Sequence, residues 1–197
     1  MNKTLDYYNT FYKNFITDSL EANASDLHHS FLKYLPKGAS ILDLGCGSGR
    51  DSKVFINLGY EVCALDGSKE LCKFASEYIG QEVLCKTFEE IDFKEEFDGI
   101  WACASLLHIS YRDLPNIFKN LSKALKQEGY LYASFKYGEF EGDRKGRYFT
   151  DLTEDRLKQL LEPLKEFEIV ETTITRDIRK GREEEKWLNI VLRKVVR

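Results

Sequence analysis

The residues best able to do chemistry cluster in Asp43-Leu44-Gly45-Cys46-Gly47-Ser48-Gly49-Arg50 and in a second acidic stretch, Asp66-Gly67-Ser68. Glycines at 45, 47 and 49 permit a tight turn and leave no Cβ between the backbone and an approaching ligand. Asp43 precedes Gly45 by two residues, where it can set the loop's hydrogen bonds near a ligand's charged end. Asp66 follows Gly49 by 17 positions. A carboxylate closing a second strand there accepts two hydrogen bonds from vicinal ribose hydroxyls, which suits an adenosine-bearing molecule. A dinucleotide loop reads G-x-G-x-x-G and rests a pyrophosphate on the next helix N-terminus. Counted from Gly45, its third glycine falls at position 50, where this chain has Arg50. That opposes a nicotinamide-dependent oxidoreductase.

These residues need a strand–loop–helix frame, and the hydrophobic pattern supplies one. An aromatic-rich helix carries Leu5, Tyr8, Phe11, Tyr12, Phe15 and Ile16 at three- and four-residue spacing. A second helix is expected from Asp26 as N-cap, burying Leu27, Phe31 and Leu35 and stopping at Pro36-Lys37-Gly38. Ser40–Leu44 reads as a buried strand entering the glycine loop, and 51–58 as the helix leaving it. Glu61–Leu65 is the next strand, and Ser68 caps a helix running through Tyr78. Further strands are expected at Glu82–Cys85 and Phe97–Ala102. Asp113 should cap a helix that Gly129 ends before the strand Tyr130–Phe135. The charged, glycine-containing segment 136–150 reads as a loop, 153–164 as a helix, and 167–175 and 186–195 as strands. Repeated strand–helix alternation predicts a doubly wound α/β fold with a mostly parallel sheet. The last two strands have no helix between them and should form an antiparallel hairpin. We expect a single domain over 1–197, divided into a helical cap (1–38) and a Rossmann-like core (39–197).

The glycine loop resembles the first motif of class I S-adenosylmethionine methyltransferases. Phe97-Asp98-Gly99-Ile100-Trp101-Ala102-Cys103 through His108 is similar to that family's fourth-strand segment, and Gln127-Glu128-Gly129-Tyr130-Leu131 to its turn into the fifth strand. More narrowly, the chain resembles small bacterial tellurite-resistance-like and uncharacterised methyltransferases of small molecules. The resemblance implies a seven-stranded sheet and S-adenosylmethionine as cofactor, with S-adenosylhomocysteine as product. It implies cofactor contacts from Tyr7, Asp43, Gly45, Cys46, Gly47, Gly49, Arg50, Asp66, Gly67, Ser68, Thr87, Phe88, Ala102 and Cys103. After the third strand the family often has an acidic residue, whereas this chain reads Lys86-Thr87-Phe88. Phe88 is then the residue that would stack on adenine.

Methyl transfer from a sulfonium needs positioning more than covalent catalysis. His108 is the candidate general base for an acceptor that must lose a proton; the other reading makes it pocket wall. Cys46 and Cys103 read as small packing or lining residues, not nucleophiles. Tyr7, Tyr8 and Tyr12 lie on the N-terminal segment that often closes over the cofactor in this family. Tyr8 and Tyr12 share the apolar face of that helix and read as core, whereas Tyr7 does not. The segments 136–150 and 176–185 carry cations suited to an anionic substrate, interleaved with acidic residues that suit solvated loops.

Composition narrows the partners. The net charge of -4, with both signs interspersed, argues against nucleic acid. No two prolines are adjacent and no cysteine follows proline, so two signatures of base-methylating enzymes are missing. Five cysteines without a CxxC pair suit reduced thiols and a cytoplasmic setting, with no metal site. The segment from Met1 to Asp6 lacks a secretory pattern and no apolar run is long enough to cross a bilayer. The expectation is a monomer or homodimer acting on a small molecule. An RNA or protein methyltransferase and a non-catalytic adenosyl-binding module are the alternatives.

Overall fold

The structure, a computed structural model, describes residues 2–195; Met1, Val196 and Arg197, the ends of the expected domain, lie outside the described residues. Helices α1 (Lys3–Leu20) and α2 (Ser25–Leu32) precede strand β1 (Ser40–Leu44), α3 (Arg50–Asn57), β2 (Glu61–Asp66), α4 (Lys69–Ile79) and β3 (Val83–Cys85). Then follow β4 (Phe97–Ala102), α5 (Leu114–Ala124), β5 (Leu125–Lys136), β6 (Glu141–Arg144), β7 (Arg147–Thr150), α6 (Glu154–Leu161), β8 (Phe167–Arg176) and β9 (Lys186–Lys194).

Seven strands form one sheet in the order β3-β2-β1-β4-β5-β9-β8. Strands β1 to β5 pair in parallel, while β9 runs antiparallel to both β5 and β8. Strand order reverses between β1 and β4, and a ligand crevice opens beyond the carboxyl ends there. The central strands are covered on both faces, which is why β1 is almost continuously apolar. Leu42, Leu44, Ile100 and Ala102 pack on one side with Phe118 of α5 and Leu157 and Leu160 of α6. Ile41, Trp101, Tyr132 and Val191 pack on the other with Phe31 of α2 and Phe55 of α3.

Three local expectations are corrected. Helix α2 begins at Ser25, one residue before the expected cap at Asp26, and the Asn23 side chain accepts the Ser25 N–H. His28 and Phe31 are its buried residues, with Leu27 and Leu35 only half-buried. Gly129 does not end α5. The helix stops at Ala124, β5 starts at once, and the β4–β5 register shifts between Phe97 and Gly99. Gly129 is small because a Cβ there would stand 2.9 Å from the Lys126 carbonyl oxygen and 3.1 Å from that of Asp98. The segment 136–150 holds a β-hairpin, with β6 and β7 joined by Lys145-Gly146. Both turn residues have left-handed backbone (φ 51° and 82°), which matches the twist of a two-residue hairpin turn.

Candidate active site

A cavity of about 320 Å³ lies at the carboxyl ends of the central strands. The sheet and the glycine loop form its floor. Helix α1, the β6–β7 hairpin and the turn between β8 and β9 form its roof, through residues such as Tyr7, Phe15, Arg147 and Arg182.

The glycine loop is tied to the end of β2. The Gly45 and Cys46 N–H groups both donate to the Leu65 carbonyl, at 2.8 and 2.9 Å. Asp66 strengthens the tie: its carboxylate accepts from the Gly47 N–H (2.9 Å) and the Ser68 N–H (2.8 Å). Burial raises the Asp66 carboxyl above its ordinary value, opposed by these backbone donors. A carboxylate has about four lone-pair sites, so Asp66, which also lines the cavity, keeps acceptor capacity for hydroxyl groups. Gly45 and Gly47 have left-handed backbone, and the space beside them is already filled. A Cβ on Gly45 would meet Ser105 at 2.5 Å and Phe88 at 3.3 Å; one on Gly47 would meet the Phe15 ring of α1 at 2.8 Å. Helix α1 therefore closes directly onto the loop.

Of the residues expected to bind cofactor, Tyr7, Asp43, Gly45, Cys46, Gly47, Arg50, Asp66, Gly67, Thr87, Phe88 and Cys103 line this cavity. Gly49, Ser68 and Ala102 do not. Gly49 packs against Ile79 and Ala75 of α4. Ser68 is fully buried as the N-cap of α4, accepting the Leu71 N–H at 3.3 Å, and Ala102 is fully buried in the core. Tyr12 also lies outside the cavity, whereas Tyr8, expected in the core, lines it.

A second group of polar residues was not legible in the sequence. Asp51, at the start of α3, accepts from His28 Nε2 (2.8 Å), Arg50 Nε (2.8 Å), Arg50 Nη2 (3.0 Å) and Trp101 Nε1 (2.9 Å). These donors hold its carboxyl below the ordinary range against the cost of burial. Arg50 also donates to the Ser19 carbonyl at the end of α1 (3.2 Å). Its guanidinium is thus spent on joining α1, α2, α3 and β4, although it lines the cavity. Beside this charge Asp43 behaves oppositely. Burial, then the repulsion of Asp51, pushes its carboxyl up to about 8, while the Ser52 hydroxyl donates to it. An acidic residue in the first turn of α3 was the only sequence sign of Asp51. Ser105 was missed as well: it is 5% exposed, lines the cavity, and its Oγ has no hydrogen-bond partner among the described residues. Ala104 before it has left-handed backbone (φ 52°) and donates its N–H to Ser134 Oγ at 2.8 Å. Such strain persists where surrounding structure over-determines it, often at functional sites.

His108 is brought against α1 and the hairpin. Its Nδ1 lies 2.7 Å from the Tyr148 carbonyl oxygen and its Nε2 lies 2.9 Å from the Tyr8 hydroxyl. A carbonyl only accepts, so Nδ1 carries the proton and Nε2 accepts from Tyr8 O–H. Burial lowers the imidazole to about 4, with Arg147 adding to the shift against the Tyr148 hydrogen bond. Nε2 is thus weakly basic and already engaged by Tyr8. The Cys46 and Cys103 thiols are both pushed up by burial, Cys103 to about 12, so neither is a thiolate.

The comparisons with known proteins fit this geometry. Residues 42–133 match the family model described as a methyltransferase domain. The chain is 33% identical over 132 residues to the Bacillus subtilis protein YqeM, which covers 61% of this chain and 52% of that protein. It is 33% identical over 104 residues to the Arabidopsis thaliana tRNA (carboxymethyluridine(34)-5-O)-methyltransferase, covering 52% of this chain and 25% of that one. The chain thus spans about half or less of the length of these curated relatives. In fold it is similar to the crystal structure of Burkholderia thailandensis 1,6-didemethyltoxoflavin-N1-methyltransferase, solved with 1,6-didemethyltoxoflavin and S-adenosylhomocysteine bound. The TM-score is 0.77, with 20% identity over 98% of this chain and 87% of that one. Residues 42–133 are thus similar to a methyltransferase domain, and the chain shares its fold with that S-adenosylhomocysteine-bound methyltransferase.

Proposed function

We propose that this protein transfers a methyl group from S-adenosylmethionine to a small molecule by in-line displacement. The observation that carries the reading is the roofed cavity. Helix α1, the β6–β7 hairpin and the β8–β9 turn enclose about 320 Å³ over the glycine loop, a volume at the small end of ligand pockets. The residues present fit the cofactor: Asp66 keeps lone pairs for ribose hydroxyls, and Phe88 offers a ring beside Gly45. Bound there, S-adenosylmethionine supplies an electrophilic methyl group on a sulfonium. The chain's own part is to orient the acceptor and exclude water. Tyr8 is held by His108, which acts as a positioning residue in this reading. Residues 1–38 serve as the cap over the core 39–197, and the five free cysteines suit a cytoplasmic setting.

The tRNA-modifying relative keeps an RNA acceptor as a second reading. It requires α1 and the hairpin to swing away from the cavity, and a basic face that the net charge of -4 does not advertise.

Calorimetric titration with S-adenosylmethionine, S-adenosylhomocysteine and NAD tests the reading. Micromolar binding of the first two and none of NAD is expected. Asp66→Ala should weaken S-adenosylhomocysteine binding by about 1–3 kcal/mol, the cost of an unpaired buried polar group. Binding of NAD alone overturns the proposal, and unchanged affinity in Asp66→Ala removes the ribose role.

A further inference from the structure

Among the described residues, Arg147 is a cation without a counter-ion. The hairpin carries it across the cavity to α1, where its guanidinium lies 4.6 Å from the Tyr7 ring centre and 5.1 Å from that of Phe149. An arginine has five N–H donors, and among the described residues a single hydrogen bond engages this one, from Nη1 to the Tyr8 hydroxyl oxygen at 3.3 Å. Its Nε is buried with no partner among the described residues. Among the described residues no carboxylate lies within ion-pair distance of it, although its neighbours are matched. Arg144 pairs with Asp151, Arg179 with Asp177, and Lys136 with Glu185. Arg176 and Arg182 line the same cavity and also lack an ion pair among the described residues. The cavity is also lined by Asp18 of α1, Asp43, Asp51, Asp66, Glu89 and Asp177; Asp51 is paired with Arg50 and Asp177 with Arg179, and none of the six lies within ion-pair distance of Arg147 among the described residues.

Arg147 is half-buried, and its inaccessible Nε, left unmet among the described residues, is costly unless an anion completes it. We infer that the methyl acceptor is an organic acid whose ionised oxygens are held by Arg147 at the Tyr8–His108 side of the cavity. The inference rests on the methyltransferase reading of this site. Planar, forked donors suit a carboxylate in bidentate geometry. The rings of Tyr7 and Phe149 flank the guanidinium and exclude water from the pair. The carboxylate of the cofactor's methionine moiety is the other source of the same chemistry; what favours the acceptor is that Arg147 holds the Tyr8 hydroxyl that donates to His108, which follows β4.

The test uses the whole protein saturated with S-adenosylhomocysteine and titrated with matched acids and amides: benzoate and benzamide, indole-3-acetate and indole-3-acetamide. At least one acid should bind tenfold or more tighter than its amide. Arg147→Gln should abolish that preference while changing S-adenosylhomocysteine affinity less than twofold. Arg147→Lys, which keeps the charge on a smaller perturbation of the fold, should retain part of the preference. Equal binding of every acid and its amide, or no binding of any acid, overturns the inference. So does a tenfold loss of S-adenosylhomocysteine affinity in Arg147→Gln with 5′-methylthioadenosine unaffected, since that ligand lacks the carboxylate. Failure of the wild-type protein to bind S-adenosylhomocysteine at all would instead sink the methyltransferase reading.

Discussion

Acidification should destabilise the fold through His108. The imidazole, ordinarily titrating near 6.5, is lowered to about 4 by burial and by Arg147. Below pH 6.5 the unfolded chain therefore binds a proton that the folded chain refuses. A base with a lowered folded pKa contributes stability that is whole above its unfolded value and is lost as pH falls towards the folded one. From pH 7 to pH 5 that loss comes to about 2 kcal/mol, at about 1.4 kcal/mol per pKa unit. Asp43 works in the opposite sense. Its carboxyl, raised to about 8, contributes stability present below its ordinary 3.8 and lost as pH rises towards the folded value. The total stability of the wild-type protein mixes the two, so the informative quantity is a difference. His108→Asn keeps an N–H for the Tyr148 carbonyl and does not titrate. Urea unfolding of both proteins, followed by circular dichroism at pH 7, 6 and 5, gives the stability gap at each pH. The gap should shrink by about 2 kcal/mol on going from pH 7 to pH 5. A gap that stays constant would refute a buried, neutral His108.

Two further outcomes follow from the geometry. Asp51→Asn leaves the buried Arg50 without its counter-charge, and should cost about 3–5 kcal/mol of stability; a midpoint of urea unfolding within experimental error of wild type would show that the cluster around Asp51 is not structural. Gly47→Val places a branched side chain at φ 56°, against Phe15, so a folded variant should bind S-adenosylhomocysteine at least tenfold more weakly in calorimetry. Wild-type affinity there would contradict the approach of a ligand to this loop.

The central architecture was legible because its signals are local. Alternation of apolar strands with amphipathic helices forces crossovers, crossovers force parallel pairing, and the glycine loop with Asp66 marks where the sheet opens. Strand β1 at Ser40–Leu44 and strand β4 at Phe97–Ala102 appear where the hydrophobic runs place them. Even the cap of α4 at Ser68 could be read, since capping depends on a few neighbouring residues.

Burial direction and long-range partners could not be read in this way. Gly49, Ser68 and Ala102 belong to the right motifs, yet their side chains or Cβ positions face helix and core packing, which depends on how α4 sits on the sheet. Tyr8 follows the apolar stripe of α1, but that stripe covers a cavity and meets His108, 100 residues away. Arg147 looked like one of many charges in a mixed loop; a hairpin turn at Lys145-Gly146 carries it to Tyr8, 139 residues away. Sequence composition specified strands, helices and the glycine loop because each answers to forces acting over a few residues. Which charges found partners and which thiols lost their acidity depended on distances and desolvation that exist only once the chain has folded.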